Sequence, residues 1–154
     1  MELVIFRLAD KEYGADIRQI RQVIRMREVT PVPDSAAFVE GVISLHGKVI
    51  PLVSLRKKMG VSAEKPSRWS RIIVTTLDSN LIGVVVDTVS DVISVETASI
   101  TPPDDVLKNA SYLEGVAKLF NRLILIVNIE KLLTKDDRIG IDEVHKKVEI
   151  RKRS

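Results

Sequence analysis

The chain has 154 residues, 45% of them hydrophobic, which suits one domain or two very small ones and excludes a disordered protein. It contains no cysteine, so disulfides, thiolate catalysis and thiolate metal sites are excluded, and a reducing cytoplasm is the simplest compartment. The net charge of +3 falls to −1 for residues 1–144 once the +4 of residues 145–154 is subtracted, so the body lacks the basic excess of a nucleic-acid-binding face.

The first element that the sequence predicts is a β-hairpin. The opening residues, MELVIFRLAD, lack the basic n-region of a signal peptide, and no apolar run approaches the roughly 18 residues that span a bilayer. Instead, LVIFRL and YGADI flank ADKE, a pattern typical of two strands joined by a turn. The segment IRQIRQVI then predicts an extended arm.

The middle and the end of the chain predict further strands and short helices. RIIVTTL and LIGVVV flank DSN as a second hairpin, while KVIPLVSL and RLILIVNI are apolar almost throughout, as in strands buried on both faces. Pro51 lacks a backbone donor, so we expect it at an edge, at a bulge or facing away from the ladder. LRKKM and IEKLLTK predict short helices. A third, C-terminal helix is expected to break at Gly140, with residues 145–154 as a solvated or frayed end.

The chain also repeats itself. YGADIRQIRQVI (Tyr13–Ile24) aligns with IGVVVDTVSDVI (Ile82–Ile93) at an offset of 69 residues. FVEGVISLHGKVIPLVSLRKKM (Phe38–Met59) aligns with YLEGVAKLFNRLILIVNIEKLL (Tyr112–Leu133) at an offset of 74. Two matching blocks in the same order are hard to obtain by chance. The sequence therefore predicts two tandem β modules of about 70 residues, each too small to be comfortable alone, which pack together and leave a groove between them.

Each module is expected to form a five-stranded barrel, because closure protects the edges of a sheet. The order of elements in both is a hairpin, an extended arm, a helical turn before EGV, a tight hairpin and a short helix. The two tight turns contain residues that tolerate a positive φ, namely His46-Gly47 in the first module and Asn121 in the second.

The sequence offers little chemistry. GVISLHGK differs from a phosphate-binding loop, because five residues separate Gly41 from Gly47 and no Ser or Thr follows the lysine. The two histidines, His46 and His145, are too distant from each other for a metal site, and Ser44 beside His46 lacks a nucleophile elbow. Aromatic residues make up 4% of the chain, too few to stack single-stranded nucleic acid. We expect no catalytic residue, no metal and no cofactor.

With these features the chain resembles the CheW-type chemotaxis coupling proteins. The segments that carry the resemblance are, in order, VIFRLADKEYGADIRQIRQVI, VTPVPDSAAFVEGVISLHGKVIPLVSLRKKMG, IGVVVDTVSDVISV and YLEGVAKLFNRLILIVNIEKLL. Together they run from Leu3 to Leu133. Each segment is modest alone, but the ordered set is highly specific to the family.

The resemblance implies a mostly β fold of two tandem SH3-like five-stranded barrels packed around a shared hydrophobic interface, with short helices. It implies one CheW-like domain over residues 1–144, made of intertwined modules at roughly 13–68 and 82–133, followed by the basic tail 145–154. It implies a non-enzymatic, cytoplasmic adaptor, monomeric when isolated and peripheral to the membrane only through receptor arrays. Its expected partners are the regulatory domain of a histidine kinase, itself CheW-like, and the helical hairpin tip of a chemoreceptor in the groove between barrels.

Carried over by motif, the family's partner-binding positions fall on seven residues of this chain. They are Ile20, Gln22, Gly41, His46, Ile72, Val89 and Val92. For Ile20, Val89 and Val92 an ordinary place in the core is an equally good interpretation, and the glycine can matter for backbone geometry alone.

One position departs from the family. The family usually has arginine where this chain has His46, and arginine is always charged whereas histidine is mostly neutral at pH 7. The usual contact of this turn with a partner is therefore in doubt, although the fold is not. A paralogue that scaffolds a non-chemotactic two-component pathway is one alternative. An SH3-like module that binds nucleic acid through the basic tail, and an enzyme whose site is not visible in the sequence, are two others.

Overall fold

The computed structural model describes residues 1–62, 64–103 and 111–153, with side chains through residue 148. Within these residues the chain is mostly β, and its helices are few. The strands are β1 (Glu2–Leu8), β2 (Lys11–Asp16), β3 (Ile20–Arg25), β4 (Val39–Leu45), β5 (Lys48–Ser54), β6 (Arg71–Leu77), β7 (Asn80–Val86), β8 (Thr88–Ser94), β9 (Ile100–Thr101), β10 (Leu113–Leu119) and β11 (Arg122–Val127). The α-helices are α1 (Leu55–Lys58), α2 (Ile129–Leu132) and α3 (Lys135–Arg153), and Ile17–Gln19 and Thr97–Ser99 form single 3-10 turns.

The strands form two sheets, which we call barrel 1 and barrel 2. Barrel 1 has the strand order β3-β6-β7-β5-β4, and barrel 2 has the order β8-β1-β2-β11-β10-β9. Each contains one parallel pair, β5 with β7 and β2 with β11, among antiparallel neighbours. The predicted fold of two barrels is confirmed, with a sixth strand of two residues, β9, added to barrel 2.

The internal repeat extends to the register of the strands. Shifting β1 by 69 residues gives the bounds of β6, and shifting β4 by 74 gives those of β10. The hairpins β4–β5 and β10–β11 pair equivalent residues and carry the same register shift, next to Gly41 in one and Gly115 in the other. The repeat is therefore structural, down to single residue pairs.

The two sheets do not follow the two repeats. The hairpin β1–β2 belongs to the first repeat but lies in barrel 2, while β6–β7 belongs to the second repeat and lies in barrel 1. The other strands of each repeat, three in the first and four in the second, would leave open edges, which the exchanged hairpins cover. Neither repeat contains a complete sheet, and the limits of the modules at 13–68 and 82–133 stay a prediction.

A continuous hydrophobic core lies between the barrels, and we call it the interface cluster. It combines buried residues of β1, β2 and β11 with residues of β5, β6, β7, α1, α2 and α3. Its members are Phe6, Leu8, Tyr13, Ala15, Val53, Leu55, Ile73, Leu77, Ile82, Val84, Val86, Val127, Ile129, Leu132, Leu133 and Ile141. Because each large aliphatic side chain contributes roughly 1.5–3 kcal/mol when fully buried, this cluster holds the barrels together as one unit.

The two short helices predicted from the sequence are confirmed. Both begin with a polar side chain that accepts a backbone hydrogen bond three residues on: Ser54 accepts from Lys57 N in α1, and Asn128 accepts from Lys131 N in α2. Such N-caps are typically worth about 1 kcal/mol each. The caps occupy equivalent positions in the two repeats, so α1 and α2 are themselves a repeated element.

The predicted break at Gly140 is wrong, because α3 continues through it to Arg153. The start of α3 is fixed by a reciprocal cap, in which Asp137 Oδ2 accepts from Thr134 N at 2.8 Å and Thr134 Oγ1 accepts from Asp137 N at 3.1 Å. Lys58 of α1 also pairs with Asp137. A glycine inside a helix costs about 1 kcal/mol, and tertiary packing of the rest of the helix outweighs it.

Part of the basic tail is correspondingly not a frayed end. The expected boundary between residues 144 and 145 falls inside α3. Val148 packs against the apolar cluster that contains Val39, Val42 and Val144, and Lys147 Nζ donates to Pro33 O at 3.1 Å. The prediction failed because charge composition alone does not show that aliphatic residues within the tail continue the apolar face of a helix.

The turns match the predictions in one barrel only. His46 and Gly47 have positive φ values of 50° and 76° as predicted, but in the β10–β11 turn the positive φ belongs to Phe120, at 52°, and not to Asn121. Phe120 is 97% exposed. Its position is the equivalent of His46, so the register of the hairpin determines the conformation, and residue preference alone misplaced it. In the parts of the chain that the structure describes, no helix is long and apolar enough to cross a membrane.

Candidate partner-binding site

The strands β3 and β8 are equivalent in the repeat, and each lies at the edge of its barrel. Their register places four aliphatic side chains on the side that faces the other barrel. Ile20 and Val23 lie opposite Thr75 and Ile73 on β6, and Ile73 belongs to the interface cluster. Cross-strand partners point to the same side of a sheet, so both residues of β3 face that cluster.

The same arrangement holds on β8. Val89 lies opposite Phe6, a member of the interface cluster, and Val92 lies opposite Val4. Ile20 and Val89 pack partly buried against the interface cluster, whereas Val92 is 54% exposed. We call the surface formed by Ile20, Val23, Val89 and Val92 the edge groove. The structure thus places three of the predicted site residues, together with Val23, on the sides of two equivalent edge strands that face the interface between the barrels.

Two other predicted residues lie elsewhere in barrel 1. Gln22 is exposed, but the bulge in β3 pairs it with Val74, a residue of the interior of barrel 1, so it lies on the other side of the strand from Ile20. Ile72 is fully buried in that interior. It offers no surface to a partner and can act only through the packing of its strand.

Gly41 has a backbone explanation. Its φ is +144°, and a Cβ atom there would lie 2.3 Å from Thr30 O, which accepts a hydrogen bond from Val42 N at 2.9 Å. The equivalent Gly115 is also crowded, since a Cβ atom would lie 2.9 Å from Thr101 O. Glycine at both positions lets another backbone segment approach the bulged strand. A role of Gly41 in binding a partner stays a prediction.

His46 lies apart from the edge groove. It is exposed in the turn between β4 and β5, and β4 is the edge of barrel 1 opposite to β3. Near its base, Arg27 Nη1 donates to Ser44 O at 3.0 Å. The seven sequence-predicted residues therefore do not form one site. They divide between the edge groove, the interior of barrel 1, and the opposite edge with its turn.

Asp87 is an important residue that the sequence did not single out. It lies where the chain passes from β7 in barrel 1 to β8 in barrel 2. Its carboxylate accepts from Arg56 Nε at 2.7 Å and Nη2 at 2.6 Å, and from Ala9 N at 2.7 Å. Its own backbone N donates to Arg7 O at 3.0 Å. One side chain thus joins α1, the β1–β2 hairpin and the crossing between the barrels.

The contacts of Asp87 change its acidity. Burial raises the pKa of the carboxyl, but the hydrogen bonds from Arg56 and Ala9 and the positive charge of Arg56 outweigh burial, so the pKa lies below its ordinary value. The sequence did contain one sign of this residue, because Asp87 directly follows the apolar strand β7. Its partner Arg56 is 31 residues away in another repeat, and no local pattern connects the two.

The described residues also hold no metal site, since no cluster of three or more His, Asp or Glu among them could bind an ion. The edge groove exposes two aliphatic side chains, with Val23 37% and Val92 54% exposed.

Comparison with known proteins gives the family. A family model described as a CheW-like domain matches residues 2–137. The chain belongs to the CheW family. Chemotaxis protein CheW of Rhizobium meliloti (strain 1021) is 32% identical over 139 residues, which are 89% of this chain and 90% of that protein. Chemotaxis protein CheW of Klebsiella aerogenes is 33% identical over 147 residues, 94% of this chain and 89% of that protein.

A solved structure shares the fold as well. The crystal structure of scaffolding protein TtCheW from Thermoanaerobacter tengcongensis matches with a TM-score of 0.79 at 34% identity, covering 88% of this chain and 89% of that chain. The resemblance drawn from the sequence is confirmed. CheW-family proteins are scaffold proteins of chemotaxis, and they are not enzymes. The expectation of a non-enzymatic adaptor is confirmed with it.

Proposed function

We propose that this CheW-family protein holds a chemoreceptor and a histidine kinase in one complex through two different surfaces. The edge groove binds the helical hairpin tip of the receptor, and surfaces at the barrel edges, including the turn at His46, bind the CheW-like regulatory domain of the kinase. The protein acts in the cytoplasm, is monomeric when isolated and reaches the membrane only through receptor arrays. Nucleic acid is not a partner.

The exposed apolar surface of the edge groove is the observation that supports receptor binding at this place. Val23 is 37% exposed and Val92 is 54% exposed, on the sides of β3 and β8 that face the opposite barrel. Ile20 and Val89 form the floor, since both pack on the interface cluster. An amphipathic helix binds such a groove through aliphatic anchors, each worth roughly 1.5–3 kcal/mol when buried.

The proposal is tested by titrating the protein with a receptor cytoplasmic fragment and, separately, with a kinase regulatory domain, using calorimetry. We expect both to bind the unaltered chain. Val92→Asp should weaken receptor binding about tenfold or more, because it places a charge against an apolar helix face. Ile139→Asp on α3 is the matched control, since Ile139 is 51% exposed and lies outside the groove, and it should bind as the unaltered chain does.

Two results would contradict the proposal. Failure of the unaltered chain to bind either partner at tens of micromolar would remove the adaptor function, since that range is the weak end expected of transient signalling contacts. Equal weakening by Val92→Asp and Ile139→Asp would remove the assignment of the receptor to the edge groove while leaving the adaptor function in place.

A further inference from the structure

The repeat gives both barrels an equivalent apolar outer surface, and within residues 1–62, 64–103 and 111–148 a helix covers only the surface of barrel 1. The cover is α3. Ile141, which is 2% exposed, enters the interface cluster together with Leu77 and Ile82. One and two turns further, Val144 and Val148 lie against the outer side of the β4–β5 hairpin. The helix is anchored at its start by Arg138, whose Nη1 donates to Asp78 Oδ1 at 2.7 Å in the β6–β7 turn.

The equivalent place on barrel 2 is an open cleft of about 440 Å³. It is formed by the β1–β2 hairpin, the end of α1 and the strands β10 and β11. Its lining residues are Leu8, Ala9, Asp10, Lys11, Tyr13, Met59, Val61, Tyr112, Leu113, Leu125 and Val127. A second depression of about 700 Å³ shares Asp10, Lys11 and Leu125 with the cleft and extends it to Leu123, which is 60% exposed.

Equivalent positions of the two barrels differ in burial, and the residue on the α3 side is the more buried one in each of five pairs. Five residues around α3 are more buried than their counterparts in or beside the cleft. The pairs, with the residue near α3 first, are Val39 and Leu113, Val42 and Val116, Val49 and Leu123, Pro51 and Leu125, and Leu133 and Met59. The strand pairing beneath the two hairpins is equivalent, and α3 packs on the barrel 1 side.

We propose that the cleft of barrel 2 binds an amphipathic α-helix of a partner protein, in the place that α3 occupies on barrel 1. The pattern of that helix follows from α3, which presents Arg138, Ile141, Val144 and Val148 at spacings of three, three and four residues. A basic residue at the start of that helix would pair with Asp10, which lines the cleft in the β1–β2 turn one position after the equivalent of Asp78.

A second copy of this chain is the weaker occupant. If α3 of one molecule moved into the cleft of another, it would uncover the apolar surface of its own barrel 1, so little apolar burial would be gained. The contact would also join two different surfaces and would not close on itself, which leads to open chains of molecules. A partner that brings its own helix has neither cost. The proposed docking is independent of the receptor and kinase contacts, because no edge-groove residue lines the cleft.

The test uses a defined helix as the probe. The probe is a peptide of Thr134–Val148 whose helix is fixed by a lactam between Asp142 and Lys146, which are exposed and one turn apart. It is titrated into the full chain with labelled methyl groups. We expect saturable binding that shifts the methyl signals of Leu113 and Leu125, and no binding by the same peptide carrying Ile141→Asp.

Variants of the full chain locate the peptide. Leu125→Lys should weaken binding about tenfold or more and Leu123→Lys, an exposed position that folding tolerates, about threefold or more. Val92→Asp in the edge groove should leave binding unchanged. No binding by the full chain overturns the proposal. Binding that survives both leucine variants also overturns the proposal, because the peptide then binds at a place other than the cleft, such as the position of α3. Binding that is lost in Val92→Asp overturns it as well, because the peptide then binds in the edge groove.

Discussion

Barrel 1 and barrel 2 have the same strand pairings and different surroundings. The hairpins β4–β5 and β10–β11 agree residue for residue, including the glycine bulge and the capped helix that follows. The described part of α3 packs on barrel 1, and the equivalent cleft of barrel 2 is open. The comparison shows that both repeats keep the glycine bulge and the helix cap that their backbone needs. In contrast, the outer surface of barrel 1 is buried by one helix, α3, that lies outside the repeat.

The largest expected effect is on the glycine bulges. Gly41→Ala should cost roughly 3 kcal/mol or more, because a Cβ atom 2.3 Å from Thr30 O must displace backbone and φ is +144°. Gly115→Ala should cost less, about 2 kcal/mol, because its backbone contact, with Thr101 O at 2.9 Å, is longer and its φ lies outside the left-handed region, although Ile100 must also move. Urea unfolding followed by circular dichroism gives both values.

Gly47→Ala is the control for backbone strain without crowding. Its φ is +76° and nothing lies within 4 Å of a Cβ atom there, so it should cost about 1–2 kcal/mol. If Gly115→Ala proved as costly as Gly41→Ala, the positive φ and the closer backbone contact of Gly41 would not determine the cost of the substitution.

The next effect concerns the crossing between the barrels. Because the pKa of Asp87 is lowered in the folded state, its contribution to stability is present above the unfolded pKa of about 4 and is lost as pH falls through the folded pKa. Asp87→Asn should therefore cost about 1–3 kcal/mol at pH 7, and the cost should become smaller as the pH falls below about 4, because the wild-type carboxyl then loses the charge that strengthens its hydrogen bonds.

Unfolding midpoints in urea at pH 7 and pH 3 measure this difference. Asp91→Asn serves as the control, since that carboxyl is 46% exposed and lies on the same barrel. A loss in Asp87→Asn that stayed constant between the two pH values would mean that the side chain acts through shape and hydrogen bonding alone, with no contribution from its charge.

The smallest effect is expected at the equivalent turns. His46 and Phe120 occupy the same position with φ values of 50° and 52°. Restoring the residue usual in the family, His46→Arg should strengthen binding to a standard kinase regulatory domain by about 0.2–1 kcal/mol, as expected of an exposed charge. Calorimetry at low and high salt measures the gain. Phe120→Arg should give none, and weaker cognate binding by His46→Arg would show that the partner prefers histidine.

The sequence predicted local elements well where pattern and turn chemistry agree. The two hairpins with their short turns, the helices α1 and α2, and the positive φ of His46-Gly47 are all local, and the repeat made each observation twice. The family resemblance added the edge groove through Ile20, Val89 and Val92. Local information thus sufficed for most of the strands, while the candidate site came from the resemblance and stays a prediction.

The failures have tertiary causes. The helix α3 continues through Gly140 because Ile141 and Val144 are buried against the rest of the protein. Helix propensity, which is a property of single residues, does not include this tertiary packing. Ile72 turned out to be interior because the face of a strand depends on which neighbours it pairs with, and the bulge in β3 moved Gln22 to the other face for the same reason. Asp87 was missed because its partner Arg56 comes from the other repeat.

The exchange of hairpins has a consequence for the order in which the protein is made. Barrel 1 is one continuous stretch, from β3 to β7, so it can be completed as soon as residue 86 has left the ribosome. The β1–β2 hairpin precedes the other strands in the chain, yet its neighbours β8 and β11 both follow barrel 1, and β11 ends only at Val127. During synthesis the hairpin must therefore wait for strands made after barrel 1, and apolar residues that wait in this way are exposed to aggregation.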